Sequence, residues 1–154
     1  MAQTPEQKLE AMGLALPDAP APAANYIPYT IAGKILTISG QIPLGPNGVE
    51  FVGKLGDTMD VEEGKDAARL CALNILAQAK AALGDLANIK QVMKIQGFVN
   101  ATPDFTAHPE VVNGASDLLA DVLGDAGRHA RAAVGMSSLP RGVAVEVDAV
   151  IEIA

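Results

Sequence analysis

The sequence predicts an α/β (α+β) domain in which a mixed β-sheet carries two helices packed on one of its faces. Three observations predict it. Over residues 143–153, Val143, Val145, Val147, Ala149, Ile151 and Ile153 alternate with Ala144, Glu146, Asp148, Val150 and Glu152, the period-2 pattern of a strand with one buried face. Residues 60–84 and 109–123 carry apolar residues at i, i+3/i+4 spacing, the pattern of two amphipathic helices. The 154 residues are 49% hydrophobic but only 3% aromatic, so one core built from Ala, Val, Ile and Leu can form without disulfides or metals.

Residues 5–14 predict a short helix, with Pro5 in the first turn and Gly13 as a stop. Residues 15–24 space prolines with small residues and predict an extended linker, so that residues 1–23 form an N-terminal extension to a domain over 24–154. From Tyr26 to Gln41 two strands flank a turn at Ala32-Gly33-Lys34, and Pro28 marks an edge or a bulge. The Gly-rich stretch 42–59 predicts a loop with one short strand near 49–52. Asp60 caps the first long helix, whose stripe includes Ala68, Cys71, Ala72, Ile75, Ala79 and Ala82, and Gly84 ends it. Residues 90–99 predict a strand with a bulge at Gly97. The helix over 109–123 buries Val111, Val112, Ala115, Leu118, Leu119 and Val122, and strands at 130–136 and 143–153 follow. With both helices on one sheet face, the other face, part apolar and part charged, suits a subunit interface.

Eleven Lys and Arg against 18 Asp and Glu give a net charge of −7. Nucleic-acid affinity rests on neutralising phosphates, and the chain has no basic run, so nucleic acid is not an expected partner. No basic-then-apolar leader opens the chain and no apolar run approaches a membrane span, which predicts a cytoplasmic protein with no membrane partner. The single cysteine cannot form an internal disulfide.

If the last two strands pair as a hairpin across 137–142, Ala133 opposes Glu146 and Arg131 opposes Asp148, all on the sheet face away from the helices. Arg131 then serves either as a fork for a ligand carboxylate or as one half of an inter-strand or inter-subunit salt bridge. His108 reads as a capping or surface residue. His129 precedes the Arg131 strand, and two histidines without a third partner make no metal site. Cys71 lies on the apolar helix stripe and reads as core. Ser39-Gly40-Gln41 reads equally as a turn or a ligand-facing loop, and residues 45–56 lack a phosphate-loop pattern.

Three segments together carry a resemblance. Tyr26 followed by Ser39-Gly40-Gln41-Ile42-Pro43, the Arg131 strand with Val134, and Leu139-Pro140 followed by Val145-Glu146-Val147 resemble the RidA/YjgF family of reactive-intermediate (enamine/imine) deaminases over about residues 24–154. The resemblance implies a chorismate-mutase-like fold, assembled as a homotrimer with sheets facing inward and three clefts between subunits. It implies hydrolysis of small 2-imino or enamine acids to 2-keto acids and ammonia, with no metal or organic cofactor. Arg131 matches the arginine that holds the substrate carboxylate, and Glu146 the carboxylate that positions the attacking water. Tyr26, Ser39, Asn113 and Ala133 match cleft-lining positions, some supplied by a neighbouring subunit. The chain departs from the family pattern at Ala133, often cysteine, at Ala24-Asn25, usually Gly-Pro, and at His129, usually proline. The alternative is a non-catalytic module that captures a small carboxylate metabolite in the same cleft; endoribonuclease activity, attached to some family members, is disfavoured by the acidic charge.

Overall fold

In the computed structural model, which describes residues 1–19, 21 and 24–154, the elements follow in the order α1 (Pro5–Ala11), β1 (Tyr29–Ala32), β2 (Ile35–Gln41), β3 (Leu44–Gly45), β4 (Gly48–Val49), α2 (Val61–Leu83), β5 (Ile89–Asn100), α3 (His108–Leu123), β6 (Ala130–Met136) and β7 (Val145–Ile153). Parts of the Pro-rich linker, including the boundary at residue 23, lie outside the described residues. The main sheet has the order β1-β2-β7-β5-β6, and β3 and β4 form a small separate ladder. The strand anticipated near 49–52 is therefore the tip of that ladder, with Val52 making only a bridge to Val143.

Both long helices pack on one face, where β7 buries Val145, Val147, Ala149, Ile151 and Ile153. α2 starts in a capping box, Asp60 accepting from the Glu63 N–H while the Glu63 carboxylate accepts from the Asp60 N–H. α3 buries the six residues its periodicity marks. Gly97 is not a bulge: it pairs in register with Val147 and Ala133, and the irregularities of β5 fall before Lys94. Its missing Cβ is where the Val112 side chain of α3 sits, so the glycine serves helix-to-sheet approach.

The expected hairpin between β6 and β7 does not form. β5 lies between them, antiparallel to β7 and parallel to β6. The reason is the connection: β6 follows β5 through α3, and a strand–helix–strand crossover lays its second strand parallel to its first. Residues 137–142 then step across the end of β5 to start β7.

The N-terminal segment is tied to the core. Thr4 and Gln7 cap α1 reciprocally, Leu9 is buried, and the Glu6 carboxylate accepts from Lys80 Nζ and from the Leu86 N–H, both at 2.8 Å. Burial alone would raise the Glu6 carboxyl, but these two hydrogen bonds hold it below its ordinary value.

Cys71 is fully buried on α2, its thiol donating to the Val145 carbonyl at 3.5 Å. Burial, reinforced by the charge of Glu146, pushes its pKa well up. The folded protein is therefore expected to resist a thiol-titrating reagent at pH 8 and to react with one equivalent once denatured, because only the thiolate is nucleophilic. Rapid modification of the native protein would contradict this packing.

Candidate functional site

The segment Ser39-Gly40-Gln41 is neither turn nor loop but a bulge in β2: the register with β7 shifts between Ile38 and Gln41. The Ser39 N–H donates to the Pro28 carbonyl at 2.9 Å, and buried Gln41 turns its amide back to the Ser39 carbonyl at 3.0 Å. The bulge bends the strand and leaves Gly40 without a side chain directly beneath Glu146. A Cβ on Gly40 would stand 2.9 Å from the Glu146 carboxyl carbon, so glycine makes the room in which that carboxyl lies.

Around this point opens a cavity of about 310 Å³ whose lining includes Tyr26, Ser39, Gly40, Gln41, Arg141 and Glu146. Tyr26 is half exposed, and Asn74 on α2 braces the wall by donating to the carbonyls of Ile42 and Leu44. Burial, and next the neighbouring Asp148, raise the pKa of Glu146; burial also raises Asp148, against the Gln96 backbone and Lys94, which lower it. Half-buried and without a hydrogen bond to any described residue, Glu146 is suited to take up and release a proton.

The raised pKa has a consequence for stability. Between the ordinary carboxylate pKa near 4.3 and the raised folded value, the native state binds more protons than the unfolded state, so stability falls as pH rises through that window. Glu146→Gln is expected to match wild type near pH 4 and to melt higher at pH 7. A pH-independent difference in melting temperature would show that Glu146 is not the titrating group.

Arg131 is elsewhere. In register it pairs with Ile95, which pairs with Ala149, so its side chain belongs to the helix face; Glu146 pairs with Phe98, which pairs with Val134, on the open face. Within one chain Arg131 and Glu146 are therefore on opposite sides of the sheet, and neither Asp148 nor Glu146 is a salt-bridge partner of Arg131. The Arg131 guanidinium lies along α3 at the free sheet edge, donating to Ser116 Oγ at 3.1 Å and to the Pro109 carbonyl at 3.3 Å.

Behind it runs a chain of hydrogen bonds whose direction is set by its end. His129 Nδ1 is 2.6 Å from the Gly127 carbonyl, which can only accept, so Nδ1 carries the proton. In the neutral ring Nε2 then accepts, and the Ser116 hydroxyl, 2.8 Å away, donates to it. The Ser116 oxygen is left free to accept from Arg131. No spacing along the chain marks Ser116 or His129 for a role, because they meet only when β6 docks beside α3.

Asn113 lies on the same α3 stripe as Pro109 and Ser116, spaced i+4 and i+7, and its side chain makes no hydrogen bond to a described residue. Ala133 is two residues along β6 from Arg131, on the same face. His108 is not a cap: it opens α3 with its ring edge-on to Phe105 (centroids 5.4 Å apart), beside a second cavity of about 450 Å³ that includes Lys54 and Gly135. The sequence-predicted residues thus fall into two groups, Tyr26, Ser39 and Glu146 around the first cavity, and Arg131, Asn113 and Ala133 at the β6 edge. Among the described residues no cluster of three or more His, Cys, Asp or Glu is placed to hold a metal ion, and no helix is long and apolar enough to cross a membrane.

Fold and site arrangement together define a chorismate-mutase-like α+β protein. The family model described as YjgF/chorismate mutase-like, putative endoribonuclease, matches residues 6–150. Protein TCP17 of Trypanosoma cruzi is 50% identical over 146 residues, covering 94% of this chain and 91% of that protein. A RutC family protein of Pyrococcus horikoshii is 33% identical over 133 residues, covering 86% and 90%. The crystal structure of the protein Atu1372 from Agrobacterium tumefaciens superposes with a TM-score of 0.92 at 49% identity, covering 98% of this chain and 94% of that one. RidA from an Antarctic Psychrobacter species superposes at 0.62 with 27% identity, covering 88% and 94%. This chain belongs to the YjgF/RidA family.

Proposed function

We propose that this protein is a cofactor-independent deaminase that hydrolyses small 2-imino and enamine acids to 2-keto acids and ammonia, working as a cytoplasmic homotrimer. The observation that carries the reading is the separation of Arg131 from Glu146 across the sheet. Each sits in an incomplete half-site, one with a cation fork and no acid, the other with an acid in a cavity. A second copy packing its open sheet face, around Phe98, Val134 and Glu146, against the β6 edge of the first would bring the two halves into one cleft.

The chemistry needs little more. Arg131 has five guanidinium N–H donors, of which two are engaged, leaving a fork for the substrate carboxylate. Glu146 takes a proton from water as the water oxygen bonds to the electrophilic imine carbon, and passes that proton to the imine nitrogen to give a carbinolamine. It then takes the carbinolamine hydroxyl proton and delivers it to the amino group, so that the C–N bond breaks, ammonia leaves and the carbonyl forms. Tyr26, Ser39, Asn113 and Ala133 would shape the cleft around this centre, and orientation supplies most of the rate.

The test is keto-acid formation from imines generated in situ by an amino acid oxidase, together with molar mass by light scattering. Acceleration by a trimer supports the reading. A folded trimer that accelerates no imine but binds 2-keto acids would be the carboxylate-capturing module instead, and a monomer would remove the shared cleft. Cleavage of RNA in the same preparations would revive the ribonuclease activity that the net charge of −7 disfavours.

A further inference from the structure

Arg141 takes no part in the reading above, yet it lines the same cavity as Glu146. Three observations single it out. Its backbone is left-handed, with φ at +58°, a region that L side chains other than Asn and Asp rarely adopt and that is often found where function holds a residue in place. The turn imposing this is firmly anchored: the Gly142 N–H donates to the Leu139 carbonyl at 3.0 Å, the Gly53 N–H to the Gly142 carbonyl at 3.0 Å, and Asn100 Nδ2 to the Val143 carbonyl at 3.1 Å. Finally, its guanidinium makes no hydrogen bond or ion pair with any described residue, although the chain holds 18 acidic residues and Glu146 borders the same cavity. Among the described residues lining the cavity Arg141 is the cation and Glu146 the acid, and they stand unpaired.

We infer that Arg141 is a specificity-determining residue that takes a second carboxylate, so that the preferred ligands are 2-imino and 2-keto acids with an acidic side chain, the class formed from aspartate and glutamate. The inference rests on the cleft proposed above, in which Arg131 of one copy holds the carboxylate beside the reacting carbon. Arg141 then faces the far end of the ligand. A cavity of about 310 Å³ is at the lower end of the range for small-molecule sites and has room for a side chain beyond the reacting carbon. An unpaired guanidinium in an acidic protein selects an anion there, because a planar fork matches a carboxylate with two parallel hydrogen bonds.

The experiment is calorimetric titration of the full-length protein with 2-oxoglutarate and with 2-oxopentanoate, which has the same carbon chain without the second carboxylate. Wild type is expected to bind 2-oxoglutarate at least tenfold more tightly. Arg141→Asn, chosen because Asn tolerates the left-handed backbone, is expected to bring that ratio near one, and Arg141→Lys to restore part of it. A wild-type ratio near one, or a ratio unchanged in Arg141→Asn, overturns the inference. The parallel assay of imines from glutamate and from norvaline judges the deaminase reading separately. Absence of turnover with the binding preference intact sinks catalysis and leaves Arg141 as the selector of a dicarboxylate-binding module.

Discussion

Arg131→Ala is expected to lower kcat/KM for imine hydrolysis by on the order of 100-fold or more, since misplacing a substrate by about an ångström already costs that much. The side chain is held rather than free. Its contacts with Ser116 Oγ and the Pro109 carbonyl fix two donors, and the direction of the Ser116–His129–Gly127 chain leaves the Ser116 oxygen able to accept. Arg131→Lys keeps the charge and loses the fork, so it should recover only a fraction of the activity. Because Arg131 is at the sheet edge and only partly buried, the alanine variant should fold and assemble, which circular dichroism and light scattering would verify. Full activity in Arg131→Ala would require another residue to hold the substrate carboxylate.

A large effect on stability is expected at Gly114, in the middle of α3. A Cβ there would overlap the backbone carbonyl of Lys65 on α2, and on α2 itself a Cβ at Gly64 would come within 3.1 Å of the Val111 methyls. The two helices therefore approach backbone to side-chain stem along this line, and a carbonyl oxygen cannot rotate aside as a side chain can. Local preference argues the opposite way: in a helix interior Ala is favoured over Gly by about 1 kcal/mol. Overpacking against backbone costs about 3 kcal/mol, so packing decides the sign. Gly114→Ala is expected to destabilise by about 2 kcal/mol once propensity is offset, a large share of the roughly 5–15 kcal/mol that holds a domain together. Urea denaturation checks this beside Asp117→Ala, an exposed change on the same helix expected within about 0.5 kcal/mol of wild type. A stabilised Gly114→Ala would mean that α2 and α3 do not approach this closely.

Much of the fold is legible in the sequence because the relevant signals are local. The period-2 alternation of β7 assigns each residue to a face with no knowledge of its neighbours, and the structure buries the alternating set from Val145 to Ile153. The stripe of α3 and the capping of α2 by Asp60 are likewise properties of a few consecutive residues. The joint appearance of Ser39-Gly40-Gln41, Arg131 and Glu146 was enough to point to the family.

What the tertiary structure alone decided was which strands are neighbours and, through that, on which face of the sheet each candidate residue lies. β6 reads Ala-Arg-Ala-Ala-Val-Gly-Met, in which small residues fall on both faces and no set of alternating large apolar residues declares one of them inward. Its orientation is set instead by pairing with β5, which carries Arg131 to the helix side and away from Glu146. The same docking brings Ser116 and His129 behind Arg131. Gly97 and Gly114 follow the same logic, since a glycine chosen to let another element approach has no signature in its own segment. Side-chain periodicity is written along the chain, whereas strand order and close approach depend on residues far apart in it, and only the folded packing brings those together.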